Sequence, residues 1–290
     1  MRSAEPVRDA TTAAAAAAAW DIACPSGPLR LAGLSMAGFD ARGGDPIDLA
    51  VVPYPAVTVI VDLGDGLVVV DKAGGRHQRG ALVAGMAPGS VRGLGRDIEC
   101  LQVRLSPLLA HAVLGAAPEL GGTVVALDDL WGRDARWTHE QLRAATSWDD
   151  RFALVETALA RRHEAGRAVD PSVAWVWQQM VTDRGQVRVD HLAAELGWSR
   201  QRLWSRFRSQ IGLTPKRAAQ LVRFDHAAHR LAAGHSAARV AAEGGYVDQS
   251  HLHRDVVAFA GVTPTAVAAA PWLAVDDVAW PTAPRAPGVI

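Results

Sequence analysis

The chain has 290 residues, and 49% of them are apolar and 21% charged, a balance that fits a soluble globular protein. The length favours two domains, because single cores stop growing near this size. The only cysteines, Cys24 and Cys100, form no CxxC pair and no Cys/His cluster at metal spacing. A disulfide framework, a structural zinc site and any cofactor are therefore not expected. No stretch reaches the roughly eighteen apolar residues of a membrane span.

Formal net charge is zero, but the charges are unevenly spread. Residues 1–171 carry 17 Lys/Arg against 21 Asp/Glu, whereas residues 172–270 carry 12 against 7. The basic segment also holds six of the ten histidines. A basic C-terminal third is a weak pointer to nucleic acid.

The chain opens with a low-complexity leader, residues 1–25, containing seven alanines from Ala13 to Ala19. Glu5 and Asp9 break the basic start that a secretory signal needs, and alanine alone is weakly hydrophobic. Asp21 stands where a lipoprotein signal at Cys24 needs an aliphatic residue. The leader is read as partly helical or disordered, and the protein as cytoplasmic.

Residues 26–165 are read as a β-rich sensor or dimerisation domain. Ala56–Val61 and Gly66–Asp71 are β-branched runs separated by turn-forming residues, Leu63-Gly-Asp-Gly66. Ala81–Ala84 and Ile98–Leu105 continue the pattern. Alternation in the last run is imperfect, as expected of a strand covered on both faces. Short strands at this spacing suggest a small barrel or sandwich. Helical spacing begins at Ser106-Pro107, with Pro in the first turn, and returns with Phe152, Val155 and Leu159. Arg161 to Pro171 is polar, ends in Asp-Pro and reads as a linker. The fold class is α+β, with an all-α C-terminal domain over 166–270 and a tail over 271–290.

The strongest signal is an internal repeat. Gly212-Leu-Thr-Pro215 recurs 49 residues later as Gly261-Val-Thr-Pro264, which implies a duplicated unit. Gly suits the left-handed position past a helix end, Thr caps the next helix, and Pro takes its first position. Upstream of the first word, Leu192 and Leu196 lie one turn apart, Gly197 breaks the helix and Ser199 caps the next. Leu203, Phe207 and Ile211 form the buried stripe of that second helix, and Ala193 lets the two helices approach closely. This is the layout of a helix-turn-helix. The second unit runs from Ser236 through Gly245 to Leu252, Val256 and Phe259, with a turn one residue longer. A helix from Pro215 to about Ala233 joins the two units.

These residues resemble the AraC/XylS transcription regulators. The resemblance covers roughly Pro171 to Ala270. It rests on Gly245-Tyr246, Asp248-Gln249-Ser250, Leu252, Arg254 and Gly261-Val-Thr-Pro264, together with Pro215, Arg223, Phe224, Ala227 and Leu231 of the joining helix. It implies a DNA-binding regulator with an N-terminal sensing or dimerising domain, not an enzyme. By resemblance, Gln201, Trp204 and Ser205 of the first unit and Gln249, Ser250, His251 and Arg254 of the second meet base edges. Ser205 stands where the family often has Arg, and Val256-Val-Ala258 replaces its usual aromatic-basic run.

The chemistry of these side chains agrees. Gln pairs bidentately with adenine, and Trp packs on a thymine methyl or instead packs internally. Arg254 bonds a guanine or clamps a phosphate. Arg200, Arg202, Arg206, Arg208, Lys216 and Arg217, with no acid among residues 199–217, supply phosphate contacts; Arg206 is expected nearer the buried side. Arg223 either touches DNA or makes a buried ion pair, with Asp225 or Glu195 as partner. His226 and His229 are expected to be structural.

The expected partners are double-stranded DNA, RNA polymerase if the protein is an activator, a small-molecule effector, and a second copy of the chain. The alternative is an enzyme, a metal-using barrel or a DNA-repair type, fused to the DNA-binding module. His77, His111, His139 and His163 lie in different elements, and only their convergence with acids in a pocket would favour it. Asp62, Asp65, Asp71 and Arg76 are read as solvated turn residues.

Overall fold

The computed structural model describes residues 20–41, 46–51, 53–71, 75–86, 91–115, 120 and 124–280. Among the described residues, nine strands come first, β1 (Asp21–Ala23), β2 (Leu34–Ala41), β3 (Ile47–Val51), β4 (Val57–Asp62), β5 (Leu67–Asp71), β6 (Arg76–Gln78), β7 (Ala81–Ala84), β8 (Val91–Gly95) and β9 (Ile98–Leu105), and a tenth, β10 (Val124–Ala126), follows the first helix. They form two antiparallel sheets, ordered β1-β2-β9-β4-β7-β10 and β3-β8-β5-β6. The sheets face each other without closing into a barrel among the described residues.

The imperfect alternation of β9 has its reason in this layering. Ile98 and Cys100 turn to the four-stranded sheet, where they join Phe39, Ile60, Leu67 and Val69. Leu101, Val103 and Leu105 turn to the opposite face and join the helices. The central sheet is thus buried on both sides, so its strands show long apolar runs instead of strict alternation.

Four helices cover that second face: α1 (Pro107–Leu114), α2 (Leu127–Trp131), α3 (Arg133–Ala144) and α4 (Trp148–Ala165). Helix α1 starts with Pro107 in its first turn as expected, and Ser106 caps it by accepting from the Leu109 amide at 3.2 Å. The C-terminal part is wholly helical: α5 (Pro171–Thr182), α6 (Val189–Glu195), α7 (Arg200–Ile211), α8 (Pro215–Ala232), α9 (Ala237–Glu243), α10 (Gln249–Ala260), α11 (Pro264–Ala268) and α12 (Pro271–Ala279).

Three expectations need correction. Residues 21–23, assigned to the leader, pair with β2 as a strand, Ile22 opposite Phe39; residues 1–19 lie outside the described residues. The linker is shorter than its polarity suggests, because α4 continues to Ala165. Its last turn is held by Arg162, which stacks 4.5 Å from the Trp131 ring and pairs with Asp134 at 3.5 Å. The tail contains α12, which packs back on β1, β2, β3 and α8. Its inner residues, Leu273, Asp276 and Ala279, recur at helical spacing and are buried.

Candidate nucleic-acid interface

Each helix predicted to read DNA is built by signals found in the sequence. In the first unit, Gly197 turns the chain at φ +63° between α6 and α7. Ser199 then caps α7 by accepting from the Arg202 amide at 3.2 Å. Leu203, Phe207 and Ile211 are at most 1% exposed, so α7 buries one stripe and turns the other to water. Gly212 closes the helix in the left-handed conformation, and Thr214 with Pro215 opens α8.

The second unit repeats this construction. Ser236 caps α9, Gly245 turns at φ +71°, and Asp248 caps α10 by accepting from the His251 amide at 2.7 Å. Leu252, Val256 and Phe259 form the buried stripe, and Phe259 stacks on Phe224 of α8 with ring centroids 5.0 Å apart. Gly261, Thr263 and Pro264 repeat the stop-and-start word. The helix α8 that carries both units has 18 residues and is about 27 Å long at roughly 1.5 Å per residue.

The outward stripes hold the predicted base-reading residues. Gln201, Trp204 and Ser205 are exposed on α7, and Gln249, Ser250 and Arg254 on α10. Trp204 does not pack internally: it is 45% exposed, with the Arg208 guanidinium 5.1 Å from its ring. His251 is half-buried, edge-on to Tyr246 at 5.3 Å, and its Nδ1 accepts from the Val247 amide at 3.4 Å.

Among the predicted phosphate-contacting residues, Arg200, Arg202, Arg206, Arg208 and Lys216 are exposed. Arg206 lies further out than its expected place beside the buried stripe. Arg202 stacks 4.5 Å from Trp198, so two of these cations are pre-set by neighbouring indoles. Arg217 differs: it is half-buried 3.9 Å over the Phe259 ring and donates to Gln220 at 3.3 Å. Burial lowers its pKa, and its first role is to join α8 to α10.

Arg223 makes the buried pair, but with Asp255 at 2.7 Å instead of Asp225 or Glu195. Asp225 instead faces His229, 3.6 Å away. Sequence reasoning also missed Val247, the extra residue of the second turn, which is 89% exposed beside the α10 N-terminus. The longer turn was its only signal. The packing of α1 against α7, and the bond from the Asp170 amide to Gln210 at 2.7 Å, had none.

A helix-turn-helix domain family matches residues 192–270. Among solved structures, ToxT from Vibrio cholerae is 11% identical, with 80% of this chain and 97% of that one covered and a TM-score of 0.46. The C-terminal domain of AraT, a response regulator from Geobacillus stearothermophilus, is 18% identical over 35% of this chain and 86% of that one, with a TM-score of 0.33. The AraC-like transcriptional activator CuxR is 16% identical over 83% and 94%, with a TM-score of 0.28. No curated protein matches the chain. The repeated words and the two capped helices fall within the matched residues, and through 192–270 this chain carries the helix-turn-helix domain of a DNA-binding transcription regulator.

Proposed function

We propose that α7 and α10 read adjacent major-groove segments on one side of a duplex. Gln201, Trp204 and Ser205 meet bases in one groove, and Gln249, Ser250, His251 and Arg254 in the next. Arg200, Arg202, Arg206, Arg208 and Lys216 hold phosphates, and Arg217 adds its charge from behind. The observation that carries this reading is that two separately capped helices bury one stripe each and leave the candidate readers on the other. Their common support, about 27 Å long by the rise of an α-helix, approaches the ~34 Å between successive major-groove faces.

The N-terminal unit, residues 26–165, is the controlling part, through an effector or through dimerisation, and RNA polymerase is the further partner if the protein activates. The space between its sheets is apolar, with Arg104 and Asp276 at one end, which supports a sensing role. No group of three metal-ligating side chains converges among the described residues. His139 bonds to the Asp62 carbonyl oxygen at 2.8 Å, and His77 and His163 stand apart on other elements. Asp62 is buried and accepts from the Gly64 and Leu67 amides of its own turn.

Hydroxyl-radical footprinting on the DNA upstream of the gene tests the two-groove geometry. Two protected patches about one helical turn apart on one face are expected. A single patch would show that only one unit engages.

A further inference from the structure

Two spaces meet where the sheets join the helices. One is a cavity of about 90 Å³ between the sheets, lined by apolar side chains such as Phe39, Ile60, Leu67 and Val69. The other is a cleft of about 440 Å³ between Tyr54–Ala56, the end of α5 and the connecting helix α8. Tyr54, Arg104, Asp276 and Trp280 line both spaces and so form the wall between them. Arg104 belongs to β9, and Tyr54 to the loop between β3 and β4. Asp276 belongs to α12, and Trp280 follows it directly.

Charge holds the wall together. Arg104 Nη2 donates to Asp276 Oδ1 at 2.7 Å, and its guanidinium lies 3.7 Å from the Tyr54 ring centre and 4.1 Å from that of Trp280. From the other side, His229 Nε2 of α8 stands 3.5 Å from Asp276 Oδ2, while its Nδ1 lies 2.8 Å from the Asp225 carbonyl oxygen. Asp276 is only 5% exposed, a depth at which a carboxylate needs cations facing it. Burial pushes its pKa up, but the contacts to His229 and Arg104 outweigh that and leave it lowered.

At about 90 Å³, the cavity is well below the ~300–1,000 Å³ of ordinary ligand sites. It is small because Val275, Asp276 and Trp280 occupy its mouth and Ala279 packs beside them. One carboxylate beside an indole, set on the single arginine of an apolar cavity, has the chemistry of a bound apolar anion.

We propose that α12 is an internal ligand of the cavity between the sheets, and that an apolar anion entering there displaces Asp276 and Trp280 from Arg104 and in the same step frees Asp276 from His229. The anion takes the place of the Asp276 carboxylate on Arg104, and Asp276 passes to water. His229 is then left with Asp225 on its own helix, among His226, Arg230 and Arg184. Occupancy of the cavity and attachment of α8 to the sheets exclude each other, so each weakens the other by the same factor. Because α8 carries both reading helices, this couples the N-terminal unit to the DNA-binding one. The purpose of the device rests on the regulator reading, but its geometry does not.

The probe is anilinonaphthalene sulfonate, an aromatic anion, titrated by fluorescence against the full chain and two variants. Asp276→Asn removes the latch from inside the cavity. His229→Gln removes it from the cleft side, on a residue that does not line the cavity. Both variants should bind the dye about tenfold more tightly, equivalent to ~1.4 kcal/mol, and adding Gly93→Leu, which fills the cavity, should abolish the gain. Dye affinity in His229→Gln equal to that of the unaltered chain, or a gain that survives Gly93→Leu, would overturn the proposal. No arm uses DNA, so a failure of DNA binding would remove the regulator reading without touching this result.

Discussion

Arg223 of the connecting helix donates to Asp255 of the second reading helix at 2.7 Å, and its guanidinium lies 4.5 Å from the Tyr246 ring. The two side chains are 15% and 10% exposed. This pair ties α10 to α8. Arg223→Ala or Asp255→Ala leaves one buried charge without its partner and should cost about 3–5 kcal/mol of stability. Urea denaturation measures it, and a double-mutant cycle should show strong coupling. Additive losses would mean that the pair does not act as a unit.

Gly245 turns at φ +71°, and a Cβ there would stand 2.9 Å from Gln186 Cγ. Gln186 in turn donates to the Glu243 carbonyl oxygen at 3.1 Å, closing the end of α9. Gly197 turns at φ +63° with open space around its missing Cβ. Gly197→Val should therefore cost only the backbone strain of a positive φ, about 1–3 kcal/mol. Gly245→Val should cost more, because Gln186 must also move. Equal melting temperatures for the two variants would contradict this difference.

The Gly245 case also shows what could be read in the sequence. Stop-and-start words, caps and turn glycines act over four or five residues, and the predicted Gly197, Ser199, Gly212, Thr214, Gly245 and Gly261 were found in place, whereas the caps Ser106 and Asp248 emerged only in the structure. The β-branched strands β4, β5, β7 and β9 were legible for the same reason. Strand β2 was not, because Leu34–Ala41 includes Ser35, Gly38 and Asp40 and is fixed by pairing with β9. Distant contacts leave no local trace. Asp276 looked like a tail residue, and only folding shows that it meets Arg104, 172 positions away. Neither Asp225, two residues on, nor Glu195 of the first unit proved to be the partner of Arg223, because which acid meets it is set by how α10 packs on α8, and no local motif records that.

Arg254 is exposed, and its Nε lies 3.4 Å from the Ser250 carbonyl oxygen, so the free chain leaves the guanidinium available. Arg254→Ala should weaken binding to a cognate duplex by ~1–3 kcal/mol if it reads a base. Equal losses on cognate and random duplexes would identify a phosphate clamp instead.

His229 is raised from its ordinary 6.5 to about 9, first by its contact with Asp276, against burial and with help from Asp225. A histidine held above its unfolded value adds stability that is complete below the unfolded pKa. That stability fades as pH climbs through the folded one. Asp225 acts at lower pH: burial lifts it to about 6, so its contribution falls between its ordinary 3.8 and that value. Between pH 7 and 9.5 the unaltered chain should lose stability that His229→Gln does not lose. Parallel curves for the two proteins would show that His229 does not set this pH dependence.

Both units of this chain are expected to hold one particular DNA sequence. Fluorescence anisotropy of the full chain on the duplex upstream of its own gene and on a scrambled duplex, at two salt concentrations, tests it most directly. Tighter binding to the upstream duplex, weakening steeply with salt as several phosphates are released, is the predicted result. Equal, weak binding to both duplexes would contradict it.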